Sequence, residues 1–197
     1  MGVANIFTGP VVVWYAPAGE TEPDENAVGL GDDWGGNWEH FGYTKTVTSL
    51  AHKRKDEEVK IEESLGAVKR FPVEEELTLE TTLAELTADN LALGLGGTVA
   101  DTAAGAAQVG MEELEGGDVL ALTERAWGFE GIYTTSTGTQ FPMRFFIWKG
   151  TAELNGKLDF GKAEYPGIPL QIKALEDMDR DAGERLYKFQ KTLAAHT

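Results

Sequence analysis

Apolar and polar residues alternate with a period of two through much of the chain. In FPVEEELTLET (71–81), Leu77 and Leu79 fall on one side and acids on the other, which predicts a strand with one wet face. YPGIPLQIKALED (165–177) repeats the pattern with Ile168, Leu170, Ile172 and Ala174. IFTGPVVVWYA (6–16), DVLALTERAWGFEGIYT (118–134) and MRFFIWKGTAEL (143–154) are dense in β-branched and aromatic residues, and the last two hold the most apolar strands. NWEHFGYTKTVTSL (37–50) resumes strand character, and EVKIEES (58–64) alternates Val59 and Ile61 with charges. The pattern therefore predicts a long hairpin over 44–64, with arms at 44–50 and 58–64 and AHKRKDEE (51–58) as its charged tip.

One stretch changes period. In TTLAELTADNLALGLGG, Thr82 and Glu85 fit a capping box and Leu83, Leu86 and Leu91 share a helical stripe. Gly94 and the Gly96–Gly97 pair end it. RLYKFQ (185–190) suits a helix by Leu186, Phe189 and Leu193, and a strand by Tyr187 and Phe189. Residues 17–36 and 97–117, rich in glycine, read as long loops, the first acidic and the second alanine-rich. Eight or so strands, one helix and no βαβ alternation predict a mainly β fold, an antiparallel sandwich or open barrel with a flanking helix, in a single domain over 1–197.

Charge then narrows the function. The formal net charge is −16, which repels nucleic acid and anionic membranes, because phosphate binding requires clustered Lys and Arg. With no cysteine, disulfides, thiolate catalysis and Cys-based metal sites are excluded. The opening MGVANIFTGPVVVWY lacks a basic n-region and a long apolar h-region, and no run approaches a membrane span.

Catalytic motifs are missing as well. G-x-S-x-G, H-E-x-x-H and a phosphate-binding loop do not occur, so no enzyme is expected. GLGGTV (94–99) follows a helix instead of a strand and reads as a helix terminator. DMDRDAGE (177–184) starts like an EF-hand but has Ala182 where glycine is needed and Lys188 where a bidentate Glu is needed; it reads as an acidic turn. His40, His52 and His196 form no ligand set, and His40 beside Phe41 reads as a packing or interface residue.

The strongest local signal is DDWGGNWEHFGYT (32–44). Trp34, Trp38 and Phe41 among acids suit two uses: seating a long loop on this chain or a neighbouring copy, or stacking sugars in a carbohydrate-binding β-sandwich, with Glu39 the one candidate for glycoside chemistry.

The order TGPVVVWYAPAGETEP, WGGNWEHFGYTKT, charged hairpin, FPVEEELTLETTLAELT and IPLQIKALED resembles the major tail tube proteins of long, non-contractile-tailed bacteriophages over most of the chain. Residues 97–117 match no feature of that pattern. The resemblance implies a sandwich with a flanking helix, six copies per ring, rings stacked into a tube, and inner strands joined into one barrel around passing DNA. It implies residence in the virion tail after synthesis in the bacterial cytoplasm. Tape measure, tail terminator and distal tail proteins are the implied partners, with no cofactor and no membrane. On this reading Lys53, Arg54, Lys55 and Asp56, with Trp34, Trp38 and Phe41, are candidate contacts between rings or subunits. The acids Glu58 and Glu62, with Glu74 and Glu76, are candidates for the lumen wall. Which strand face points inward depends on the register.

Overall fold

A computed structural model describes residues 7–118, 121–135, 137–160 and 165–193. The elements in order are β1 (Phe7–Pro17), β2 (Glu39–His40), β3 (Ser49–Val59), β4 (Lys69–Leu83), α1 (Ala88–Leu95), β5 (Thr98–Thr102), β6 (Met111–Glu115), β7 (Glu124–Thr134), β8 (Gln140–Leu154), β9 (Ile168–Ala174) and β10 (Tyr187–Lys191). Every strand pairing is antiparallel. The main sheet runs β2-β1-β7-β8-β9-β4-β3 and does not close into a barrel. The long strand β8 forks it. Along one edge, Met143–Ile147 pair with β10 and Gly150–Leu154 pair with β9, so the sheet divides into two leaves.

Strands β1, β7 and β8 are buried on both faces, which is why their sequences read as the densest apolar runs. Val13, Trp127 and Ile147 point into one core with Leu77, Leu79, Leu83, Ile168, Leu170 and Ile172. Their neighbours Trp14, Ala126 and Phe146 point the other way, into a second core with Trp34, Trp38 and Trp148. The first core is closed by the β9–β4 leaf and α1. The second is closed by the 17–36 loop, which serves as a layer of the fold.

Four expectations change. The hairpin exists, but its arms are β3 and β4 and its turn lies at 60–68, so 51–58 is strand and 60–64 belongs to the turn. Charged residues occupy both of its faces, and period-two hydrophobicity could not mark it. The helix starts at Ala88, since Thr82 and Leu83 are held in β4 by Pro169 and Ile168 of β9. Thr87 is its N-cap, its side chain accepting from the Asn90 amide at 3.1 Å, while Glu85 accepts from the Tyr43 amide at 3.2 Å. Residues 97–117 hold the β5–β6 hairpin. The ambiguous 185–190 segment resolves as strand β10, paired with β8. Thr87→Ala is expected to lower stability by about 1 kcal/mol, read from a denaturant midpoint; an unchanged midpoint would contradict the cap assignment.

Candidate assembly surface

Two features stand out against this frame: a loop clamped onto the sheet, and a ribbon that leaves it. The clamp begins with Gly128 of β7. A β-carbon there would lie 2.2 Å from the Trp34 ring, so the bare backbone forms the seat for the indole. Trp14 stacks on Trp34 at 5.1 Å, and Trp38 meets it edge-on at 5.1 Å while donating its indole N–H to the Thr21 carbonyl at 2.8 Å.

Beneath the loop lies an ion pair absent from the sequence-based expectations. Glu130 and Arg144 face each other across β7 and β8, 2.8 Å apart, with side chains 3% and 2% exposed. Arg144 also donates to the Val28 and Gly29 carbonyls at 2.9 and 3.1 Å, and Glu130 accepts from the Gly31 amide at 2.9 Å. Both charges are therefore spent on holding the loop backbone. The available signal was an acid and a base, Glu130 and Arg144, set among apolar residues in the middle of the two most apolar strands, where a charge must be paired.

Trp34, Trp38 and Phe41 are 4%, 6% and 2% exposed. Phe41 lies on the opposite side of β1 from the tryptophans, stacked on Tyr15, and its carbonyl accepts from the buried Asn90 amide group. Of their two structural uses, seating the loop on this chain is the one observed. The three rings have almost no area left for contact with another copy, and no open face on which a sugar could stack. Glu39, the candidate for glycoside chemistry, accepts from the Tyr15 hydroxyl at 2.5 Å; burial first, and this carboxylate second, push the tyrosine pKa upward. His40 packs edge-on against Trp14 at 5.2 Å. His196 lies outside the described residues. Among the described residues no group of three acids or histidines is placed to hold a metal; Asp177 is occupied by the Asp179 amide and by Arg180.

The ribbon is the other feature. Strand β9 pairs with β4 only from Thr78 onward, so His52–Val59 and Lys69–Leu77 continue as two strands alone. At about 3.3 Å per residue they extend roughly 30 Å from the point where β9 stops. All of β3, and β4 from Lys69 to Glu76, is exposed. The ribbon is held by cross-strand charge pairs, Lys53–Glu76 at 3.9 Å, Lys55–Glu74 at 3.8 Å and Arg70–Glu58, and by a His52–Glu75 hydrogen bond at 2.7 Å. Exposed pairs of this kind contribute about 0–1 kcal/mol each.

The register places the candidate residues. Lys53 and Lys55 share one ribbon face with Glu74 and Glu76. Arg54, Asp56 and Glu58 occupy the other, with Glu75 and Arg70. Glu62 is in the turn. Glu58, Glu62, Glu74 and Glu76 therefore do not form one acidic face; Lys53 and Lys55 on the Glu74–Glu76 face are each matched to an acid across the ribbon, while Lys69 on that face lies opposite Val59. An extra residue in β4, between the partners of Lys55 and Asp56, separates the basic half of β3 from its acidic half.

At the foot of the ribbon an apolar groove of about 210 Å³ opens between Leu50 and Leu79 on one side and Phe129, Phe145 and Phe189 on the other. Among the described residues no helix is long and apolar enough to cross a membrane. No curated protein matches the chain. Residues 4–192 match the family described as Phage tail tube protein. That span takes in every strand of the sheet, the clamped loop and the ribbon, and the chain belongs to the phage tail tube proteins.

Proposed function

We propose that this chain builds a tail tube as stacked hexameric rings whose bore conducts DNA from capsid to host cell. The observation that carries the reading is the ribbon. A two-stranded hairpin in water is marginal, and its unpaired edges invite further strands. A neighbour on each side would convert it into part of a continuous sheet, and six such copies related by rotation close without leaving an edge.

The bore is proposed to be lined by the ribbon face that bears Glu74 and Glu76. Lys53 and Lys55 on that face are engaged by those acids, which leaves Lys69 near the tip, so the wall offers phosphates few free cations and DNA slides without the counterion release that drives binding. A net charge of −16 per copy adds repulsion near contact, within about 8 Å at physiological salt. Tape measure, terminator and distal tail proteins would meet this tube along its bore and at its two ends.

Electron microscopy of the purified protein over a concentration series tests the proposal. Rings or tubes with six-fold symmetry are expected, with the ribbons at the inner wall. A protein that stays monomeric at every concentration and salt, and is missing from purified virions, is not a tube subunit; ribbons on the outer wall would overturn the lining.

A further inference from the structure

The ribbon has two free edges, and their charges run in opposite order. From foot to tip, β3 reads His52, Lys53, Arg54, Lys55 and then Asp56, Glu57, Glu58. Over the same distance β4 reads Glu76, Glu75, Glu74 and then Arg70, Lys69. Each edge is thus basic where the other is acidic, at the same height. Among the described residues nothing pairs with the outward edge of β3 over Ser49–Val59, or with that of β4 over Lys69–Leu77.

We infer that β3 of one copy pairs with β4 of the next, antiparallel and in the register that already joins the two strands within each hairpin. This rests on the ring reading above and specifies the contact that reading leaves open. Ribbons set side by side with their tips in one direction bring β3 against β4 automatically. Lys53 then lies between Glu76 of its own chain and Glu76 of the neighbouring copy, and Lys55 lies likewise between two copies of Glu74. Toward the tip, Glu58 sits between two copies of Arg70. Burial does not set this register, because both strands are exposed on both faces; charge does. Sliding one ribbon by about half its length would set Lys53–Lys55 against Lys69 and Arg70, and such juxtapositions are the repulsive element that specificity needs.

A two-fold arrangement also satisfies β3. Antiparallel pairing of β3 with a second β3, about an axis through Lys55, would match the basic half with the acidic half. With the axis at the level of Lys55, Arg54 and Lys53 face Asp56 and Glu57 of the other copy and the two Lys55 side chains meet. It would leave both β4 edges open, however, and it ends at a dimer. The β3-to-β4 contact satisfies both edges of every copy and propagates around a ring.

The chain has no cysteine, so introduced thiols report only the contact under test. Lys53→Cys and Glu76→Cys chains are prepared separately, mixed, allowed to assemble and oxidised; Lys55→Cys is treated alone. On a non-reducing gel the mixture is expected to give disulfide dimers, whereas each of the first two variants alone gives none. Equivalent thiols in neighbouring copies would sit two strand spacings apart, roughly 10 Å, beyond disulfide reach. Dimers from Lys55→Cys alone, with none from the mixture, would establish the two-fold contact and overturn the inference. Rings seen by microscopy without the mixed dimer would overturn the register while leaving the tube reading intact. Absence of rings under every condition would remove both.

Discussion

Arg144→Met is expected to cost about 3–5 kcal/mol of unfolding free energy, because it leaves the Glu130 carboxyl in the core beneath the loop without its partner. The substitution keeps most of the side-chain volume, so the loss reports charge and hydrogen bonding more than a cavity. Three contacts disappear together: the Glu130 pair and the two bonds to the Val28 and Gly29 carbonyls. The 17–36 loop should therefore become an early site of limited proteolysis, while the first core, on the other side of the sheet, keeps its packing. Replacing both partners by Met should recover a substantial part of the loss, since two apolar groups carry no uncompensated charge. Denaturant titration of the three variants checks the order. A loss below about 1 kcal/mol for the single replacement would mean that the pair does not hold the loop.

The second large effect is at Trp34. Trp34→Ala should cost about 3–5 kcal/mol, the range for deleting a buried aromatic ring, and the cavity would lie between Trp14, Trp38 and Phe146. Its seat supplies a sharper measurement. In the native background Gly128→Ala drives a methyl group into the indole, at a built distance of 2.2 Å, and should be strongly destabilising. In the Trp34→Ala background the same methyl enters vacated space and should cost little. A double-mutant cycle therefore predicts a large coupling between the two sites. Additive effects would show that Gly128 is bare for some reason other than the indole.

The two predictions rest on residues that differed in how far the sequence exposed them. Trp34 and Trp38 were visible as a cluster, and their loop was visible as a loop. That the loop forms the second layer was not, because layer membership follows from what lies across the sheet, which periodicity does not encode. Strands with one apolar face, such as 71–81 and 165–177, were legible directly. The ribbon was misplaced by several residues for the converse reason. With both faces wet, β3 has no alternation, and the nearest alternating segment is the one at Val59 and Ile61. The helix start was drawn to Thr82 by a local motif, and pairing of β4 with β9 overrode it. Within the assembly surface, Lys53–Lys55 and Glu74–Glu76 were legible as charge runs. Their mutual pairing, and the placement of Glu58 on the opposite face, required the register.

The attachment of β4 to β9 also sets a timetable. Strands β3 and β4 form a local hairpin, and both leave the ribosome well before Ile168–Ala174, the segment that fixes Thr78–Leu83 to the body. Strand β1 must likewise wait for β7. Chains grow at roughly 5–20 residues per second, so the ribbon spends seconds without a foundation. During that interval it is a marginal two-stranded hairpin and a poor template. Its foot is fixed only once Ile168–Ala174 has been made, so the proposed edge pairing is expected of finished subunits and not of nascent chains on neighbouring ribosomes.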